Sequence, residues 1–95
     1  MDDLAAIFRA LSDPNRLAIY ELIRERNQAP VADLERSISA LAREFDISLS
    51  TVSHHIKELR RAGLVQCVKR GQTVYCEAAP AALEAIGRFL GPAQE

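Results

Sequence analysis

The sequence predicts a mainly helical domain with one β-hairpin late in the chain. Three observations carry this. Apolar residues recur at helical spacing from Leu4 to Leu59. The pattern then switches, in LVQCVKRGQTVYCEAA, to two β-branched and aromatic runs around Gly71. After Pro80 the helical spacing returns. With 95 residues, one domain over 1–95 is the expectation, and as a monomer it would bury only a modest core. Hydrophobic residues at 48% and charged ones at 26% suit a folded domain and exclude a disordered one. No apolar run approaches the length of a membrane span. The opening MDDLAAIFRALSDP is acidic and ends in a helix-start signal, so no secretion signal is expected. A cytoplasmic location follows, with both cysteines reduced.

Leu4, Ile7, Phe8 and Leu11 place a first helix over roughly residues 3–11. Asp13 is a good cap and Pro14 suits a first helical position, where no N–H partner is missed. The second helix carries Leu17, Ile19, Tyr20, Leu22 and Ile23, and it ends in the polar stretch Arg24–Gln28, before Pro30. A third runs from Val31 or Ala32 to Phe45, with Leu34, Ile38, Leu41, Ala42 and Phe45 as its apolar positions. A short turn at Asp46–Ile47 follows. Ser48 caps a fourth helix with Val52, Ile56 and Leu59 inward, and Gly63 stops it. After the hairpin, Pro80 opens a last helix with Leu83, Ile86, Phe89 and Leu90 on its apolar side, ended by Gly91–Pro92. The order is helix, helix, helix, helix, hairpin, helix. Two helices across a short turn, then a two-stranded wing, make a winged helix-turn-helix.

Charge singles out one part of this fold. Net charge is −1, yet residues 48–72 hold Lys57, Arg60, Arg61, Lys69 and Arg70 against Glu58 alone. That segment is +4 and the remainder −5, which suggests a focused contact with a polyanion. On the fourth helix, Ser50, His54, Lys57 and Arg61 fall at spacings of 4, 3 and 4 and share one outward stripe, with Thr51 and His55 on its flank. The stripe is short and polar first, then basic. A helix lying in a DNA major groove needs that arrangement, with its first turns at base edges and later cations at phosphates. Ser48, Ser50, Thr51, Ser53 and His54 are the candidates to read bases or hold phosphates. Lys69, Arg70 and Gln72 at the hairpin tip are candidates for the neighbouring backbone or minor groove.

The histidine pair is a poor metal site. Adjacent helical residues point about 100° apart, and four residues beyond His54 stands Glu58 rather than a second histidine. No nucleophile stands with a base, so no enzyme, metal or cofactor is expected. His55 is expected at the edge of the core, satisfied by a backbone or carboxylate partner.

ALSDPNRLAIYELI, STVSHHIKELRRAGLV and KRGQTVYC together resemble the ArsR/SmtB family of bacterial winged-helix repressors over nearly the whole chain. The resemblance implies a homodimer on a roughly palindromic double-stranded DNA operator, released by an effector. It implies dimerisation through the first and last helices, hence through Leu4, Ile7, Phe8, Leu11, Leu83, Ile86 and Leu90. The same residues could equally form an intramolecular core. The chain departs from the family pattern at several points. Ser37 and Ser39 occupy the Cys-x-Cys positions of many metal-sensing members, and hydroxyls are poor ligands for soft ions. PAALEAIGRFL lacks the histidines and acids of the other common site. Neither usual metal site is therefore expected. RERNQAPVADLER is longer than the usual link between the second and third helices, Asp46 stands where the turn usually has glycine, and Leu49 replaces a frequently polar residue.

Cys67 and Cys76 lie on opposite hairpin strands, and the turn decides how they meet. A turn at Arg70–Gly71 sets them diagonally on one face, a turn at Gly71–Gln72 sets them directly opposite, and a longer loop separates them. Each reads most simply as a small apolar residue under the wing. A thiol, redox or soft-metal sensor built on the pair is the alternative function. A winged-helix protein-interaction module without DNA binding is another, compatible with the pI of about 6.1.

Overall fold

The structure is a computed structural model and describes residues 3–91. Its elements are α1 (Leu4–Leu11), α2 (Pro14–Glu25), β1 (Ala29–Pro30), α3 (Val31–Phe45), α4 (Leu49–Arg61), β2 (Val65–Arg70), β3 (Thr73–Ala78) and α5 (Pro80–Phe89). Pro92, expected as part of the final stop, lies outside the described residues.

Side-chain caps start three of the helices. Asp3 accepts from the Ala6 N–H at 3.1 Å. Asp13 accepts from Asn15 and Arg16 at 2.9 and 3.1 Å, with Pro14 just inside α2. Ser48 accepts from Thr51 at 3.2 Å. Each bond satisfies an N–H that has no partner within the helix. The ends of α3 and α4 share a second device. Ile47 donates to the Ala42 carbonyl and Leu64 to the Leu59 carbonyl, at 3.0 and 2.9 Å, across Asp46 (φ 55°) and Gly63 (φ +78°). These are left-handed stops. Glycine reaches that conformation without strain, and aspartate tolerates it better than most residues.

The sheet differs from expectation. It has three strands in the order β1-β3-β2, not the hairpin alone. The long stretch after α2 supplies the third strand, β1. Gln28 adopts φ 61°, turning the chain so that Ala29 pairs with Cys76 and Pro30 with Tyr75. Proline lacks an N–H, which an edge strand tolerates. The Glu77 carboxylate ties the three strands together, accepting from Gln28 at 3.0 Å and from Gln66.

α2 sits centrally, packed against α1, α3, α4 and β3. Ile19 and Ile23 of α2 meet Leu59 of α4 and Leu64 after it, all buried to 1% exposure or less. The core is chiefly small and branched, and three alanines near the sheet-to-α5 junction (Ala78, Ala79 and Ala82) let the chain approach closely. Four apolar residues that the helical pattern singles out instead meet solvent: Leu17, Phe45, Phe89 and Leu90 are 38%, 40%, 62% and 64% exposed.

Candidate nucleic-acid interface

α4 is held by one side and open on the other. Val52, His55 and Leu59 are buried, with Ile56 half-buried beside them. Ser50, His54, Lys57 and Arg61 are all exposed, as are Thr51 and Ser53. Ser48 Oγ lies 3.0 Å from Ser50 Oγ and 2.9 Å from Thr51 Oγ1, so three hydroxyls cluster at the helix N-terminus. There the free N–H groups and the helix dipole already favour an anion. Near the other end, Arg61 reaches Glu58 at 3.3 Å, a surface pair that solvent weakens and a phosphate could displace. Among the described residues the α4 stripe is otherwise uncovered. Lys69, Arg70 and Gln72 stand exposed at the wing tip, where the Arg70 guanidinium lies 5.6 Å from the Tyr75 ring centre. The ring steadies the arginine by a cation–π contact.

His55 departs from expectation in its partner. It is only 5% exposed, and its Nδ1 accepts from Arg16 Nε at 3.2 Å, rather than meeting a backbone group or carboxylate. An accepting Nδ1 leaves the neutral ring's proton on Nε2. Burial holds the imidazole below its ordinary value; the Asp13 charge opposes this, while Arg16 and His54 add to it. The Arg16 N–H bond in turn holds the Asp13 carboxyl below its usual range, against some desolvation. The capped start of α2 is thus wired to the middle of α4. Nothing in the sequence pattern marked Arg16 for this task, since it sits 39 residues from His55. His54, one residue away, faces solvent, and the two ring centres lie 6.1 Å apart. The pair therefore divides between core and surface.

The terminal helices meet through Phe8 and Phe89, whose ring centres are 5.5 Å apart. Of the seven residues expected at a dimer contact, Ile7 is 2% exposed and packs in this chain's own core, the alternative that the sequence left open. Leu4, Leu11, Leu83 and Ile86 pack partly on that core, and Phe8 is half-buried. Leu90 is 64% exposed, and Phe89, which is not among the seven, is 62% exposed.

In the wing, β2 and β3 pair so that Arg70 faces Thr73 and Cys67 faces Cys76. Of the turn registers, the structure adopts Gly71–Gln72, with Gly71 at φ +63°. Positive φ at the first turn residue alone is the type II′ pattern. The two sulfurs are 3.0 Å apart and both thiols are free.

Comparison with known proteins agrees with this geometry. A helix-turn-helix domain family matches residues 11–68. The solved structure of an ArsR-like transcriptional regulator from Rhodococcus sp. RHA1 is 31% identical, covers 92% of this chain and 74% of its own, and superposes with a TM-score of 0.66. This chain belongs to the ArsR family of winged helix-turn-helix transcriptional regulators.

Among relatives of this ArsR-family chain, the cadmium resistance transcriptional regulatory protein CadC of Listeria innocua is 33% identical over 72 residues, 76% of this chain. The chain spans only 55% of CadC's length. The transcriptional repressor SdpR of Bacillus subtilis is 29% identical over 69 residues, or 73% of this chain and 68% of SdpR. CadC's name refers to cadmium. In this ArsR-family chain Ser37 is half-buried and Ser39 half-buried on α3, where a soft ion would need thiolates. No helix among the described residues is long and apolar enough to cross a membrane.

Proposed function

We propose that this chain is a homodimeric, sequence-specific DNA-binding repressor released by an effector. The observation that carries the reading is the two-sidedness of α4. Val52, His55 and Leu59 anchor it, while Ser50, His54, Lys57 and Arg61 lie uncovered. Placed in a major groove, the N-terminal hydroxyls and His54 meet base edges, and Lys57 and Arg61 meet phosphates. Lys69, Arg70 and Gln72 hold the flanking backbone. Ser48 keeps its own hydroxyl on the helix end and orders the Ser50 and Thr51 hydroxyls for contact.

A dimer is supported by the α1–α5 end. Phe89 and Leu90 leave apolar surface in water beside Phe8, and a two-fold partner would bury it against its own copy. Two such chains present two copies of α4 to two half-sites of an operator. The relatedness to regulators named as a repressor and a resistance regulator supports repression as the outcome.

The test is a titration of the chain against its own promoter DNA at two salt concentrations. Four cations per protomer, Lys57, Arg61, Lys69 and Arg70, give a dimer a salt slope of up to about −7, because each neutralised phosphate releases roughly 0.9 of a counterion. Binding that ignores both salt and sequence would refute the proposal.

A further inference from the structure

A groove of about 610 Å³ opens between α3, α4 and the sheet. Leu34 and Ile38 of α3, Val52 and Ile56 of α4, and Val74 of β3 give it apolar walls, and Cys67 and Cys76 line it together. Its size suits a small organic molecule. The functional reading above makes no use of it, nor of the thiols.

The cysteines are placed for a bond. A two-residue turn closes on a hydrogen-bonded pair, Arg70 and Thr73. Alternation then makes Lys69–Val74 non-bonded, Val68–Tyr75 bonded and Cys67–Cys76 non-bonded. Non-bonded pairs bring Cα atoms closest, about 4.5 Å, inside the range a disulfide spans. The sulfurs already touch at 3.0 Å. The two differ in burial, Cys76 buried and Cys67 half-buried. Burial, then the hydrogen bond with Cys67, pushes the Cys76 thiol well above its ordinary value. Cys76 therefore keeps its proton, and half-buried Cys67, the more accessible sulfur, is the one an incoming molecule meets first.

We propose that this groove admits an apolar organic peroxide, that the peroxide converts Cys67 and Cys76 to a reversible disulfide, and that the disulfide weakens DNA binding. The Cys67 thiolate attacks the terminal peroxide oxygen, the O–O bond breaks, and the alkoxide leaves as the alcohol after taking a proton. Cys67 is now a sulfenic acid. The Cys76 sulfur then attacks the Cys67 sulfur, the S–O bond breaks, and the hydroxide departs as water with the Cys76 proton. Two thiols have lost two electrons and the peroxide has gained them. A thiol reductant reverses the bond. The apolar walls favour an organic peroxide over hydrogen peroxide, which gains nothing from them.

The last clause rests on the DNA-binding reading. Cys67 stands two residues before Lys69 and three before Arg70 on β2, and the opposite wall of the groove is α4 itself. A bond across the wing fixes the twist of the hairpin that carries Lys69 and Arg70, so the tip no longer adjusts to a duplex that α4 engages.

The experiment treats the reduced full chain with cumene hydroperoxide and, separately, hydrogen peroxide, following thiol loss and mapping peptides by mass. The expected product is a Cys67–Cys76 cross-linked peptide from the unsubstituted protein. The organic peroxide should react roughly tenfold faster, the worth of one or two buried methylenes. Val74→Phe narrows the groove and should bring the ratio of the two rates towards one. Cys76→Ser should stop at a Cys67 sulfenic acid trapped by dimedone. Intermolecular cross-links only, or equal rates with both peroxides, would overturn the proposal. DNA titration of the oxidised chain should show about tenfold weaker binding, restored by dithiothreitol, as expected from one lost phosphate contact. Unchanged affinity after full oxidation overturns the switch. A reduced chain that binds no DNA refutes the repressor reading instead, and the peroxide rates still judge the thiol chemistry.

Discussion

At the scale of single residues, His55 and Asp13 tie stability to pH in separate windows. His55 is held below 6.5, its ordinary value, chiefly by burial. Between that value and its lower folded one, the unfolded chain binds the extra proton. The stability His55 contributes is therefore present above about pH 6.5 and is lost as pH falls through the depressed folded value. Asp13 is also lowered, from 3.8, so its contribution is lost only in stronger acid. Denaturant midpoints measured from pH 8 downward should fall first near and below neutrality. His55→Gln should flatten that first decline and leave the acid one. An unchanged first decline would place the titration elsewhere. Surface residues of the interface separate differently. Arg70→Ala should weaken binding to all sequences alike and reduce the salt slope by about 1 per protomer, as a lost phosphate contact does. Ser50→Ala or His54→Ala should instead alter preference among operator variants, by about 1–3 kcal/mol at the affected base pair. Competition binding on a set of single-base operator variants distinguishes the two.

At the scale of elements, the turn between α3 and α4 decides how α4 is presented. Asp46 supplies its left-handed residue at some steric cost. Asp46→Gly should stabilise the fold by about 0.5–1 kcal/mol, raising Tm by roughly 3–6 °C in a domain of this size. DNA affinity should stay constant, since the turn geometry is retained; a lowered Tm would show that the Asp46 side chain does more than fit the turn. Beside it, Leu49 is 60% exposed at the first position of α4 and Phe45 is 40% exposed at the last of α3. An exposed leucine there cannot hydrogen-bond a base, but it can meet a thymine methyl. Helix starts and stops, and the dry face of α4, were legible in the sequence, because capping and periodicity involve residues within one or two turns of each other. The brief β1 was not. Two residues carry no periodicity, and they become a strand only because β3 lies alongside.

At the scale of the whole molecule, the proposed dimer rests on the terminal helices. Ile7 faces inward, while Phe89 and Leu90 face water. Leu90→Glu should shift sedimentation from dimer to monomer while leaving the helical circular dichroism unchanged, because the residue is not part of this chain's core. The same change should weaken operator binding by more than tenfold, since a monomer engages one half-site alone. A variant that remains dimeric would place the interface elsewhere.

Residue order alone settled the helices, the hairpin, and the wet and dry faces of α4. Those features follow from spacing and from groups a few residues apart. Folding settled the rest: Arg16 against His55, Gln28 against Glu77, Ala29 beside Cys76, and which apolar residues of the terminal helices remain exposed. Even the cysteine register was open among several turns until Gly71 took its positive φ. Each of these joins partners distant along the chain or chooses among nearly equal local conformers, and only the packing of the completed core separates such alternatives in energy.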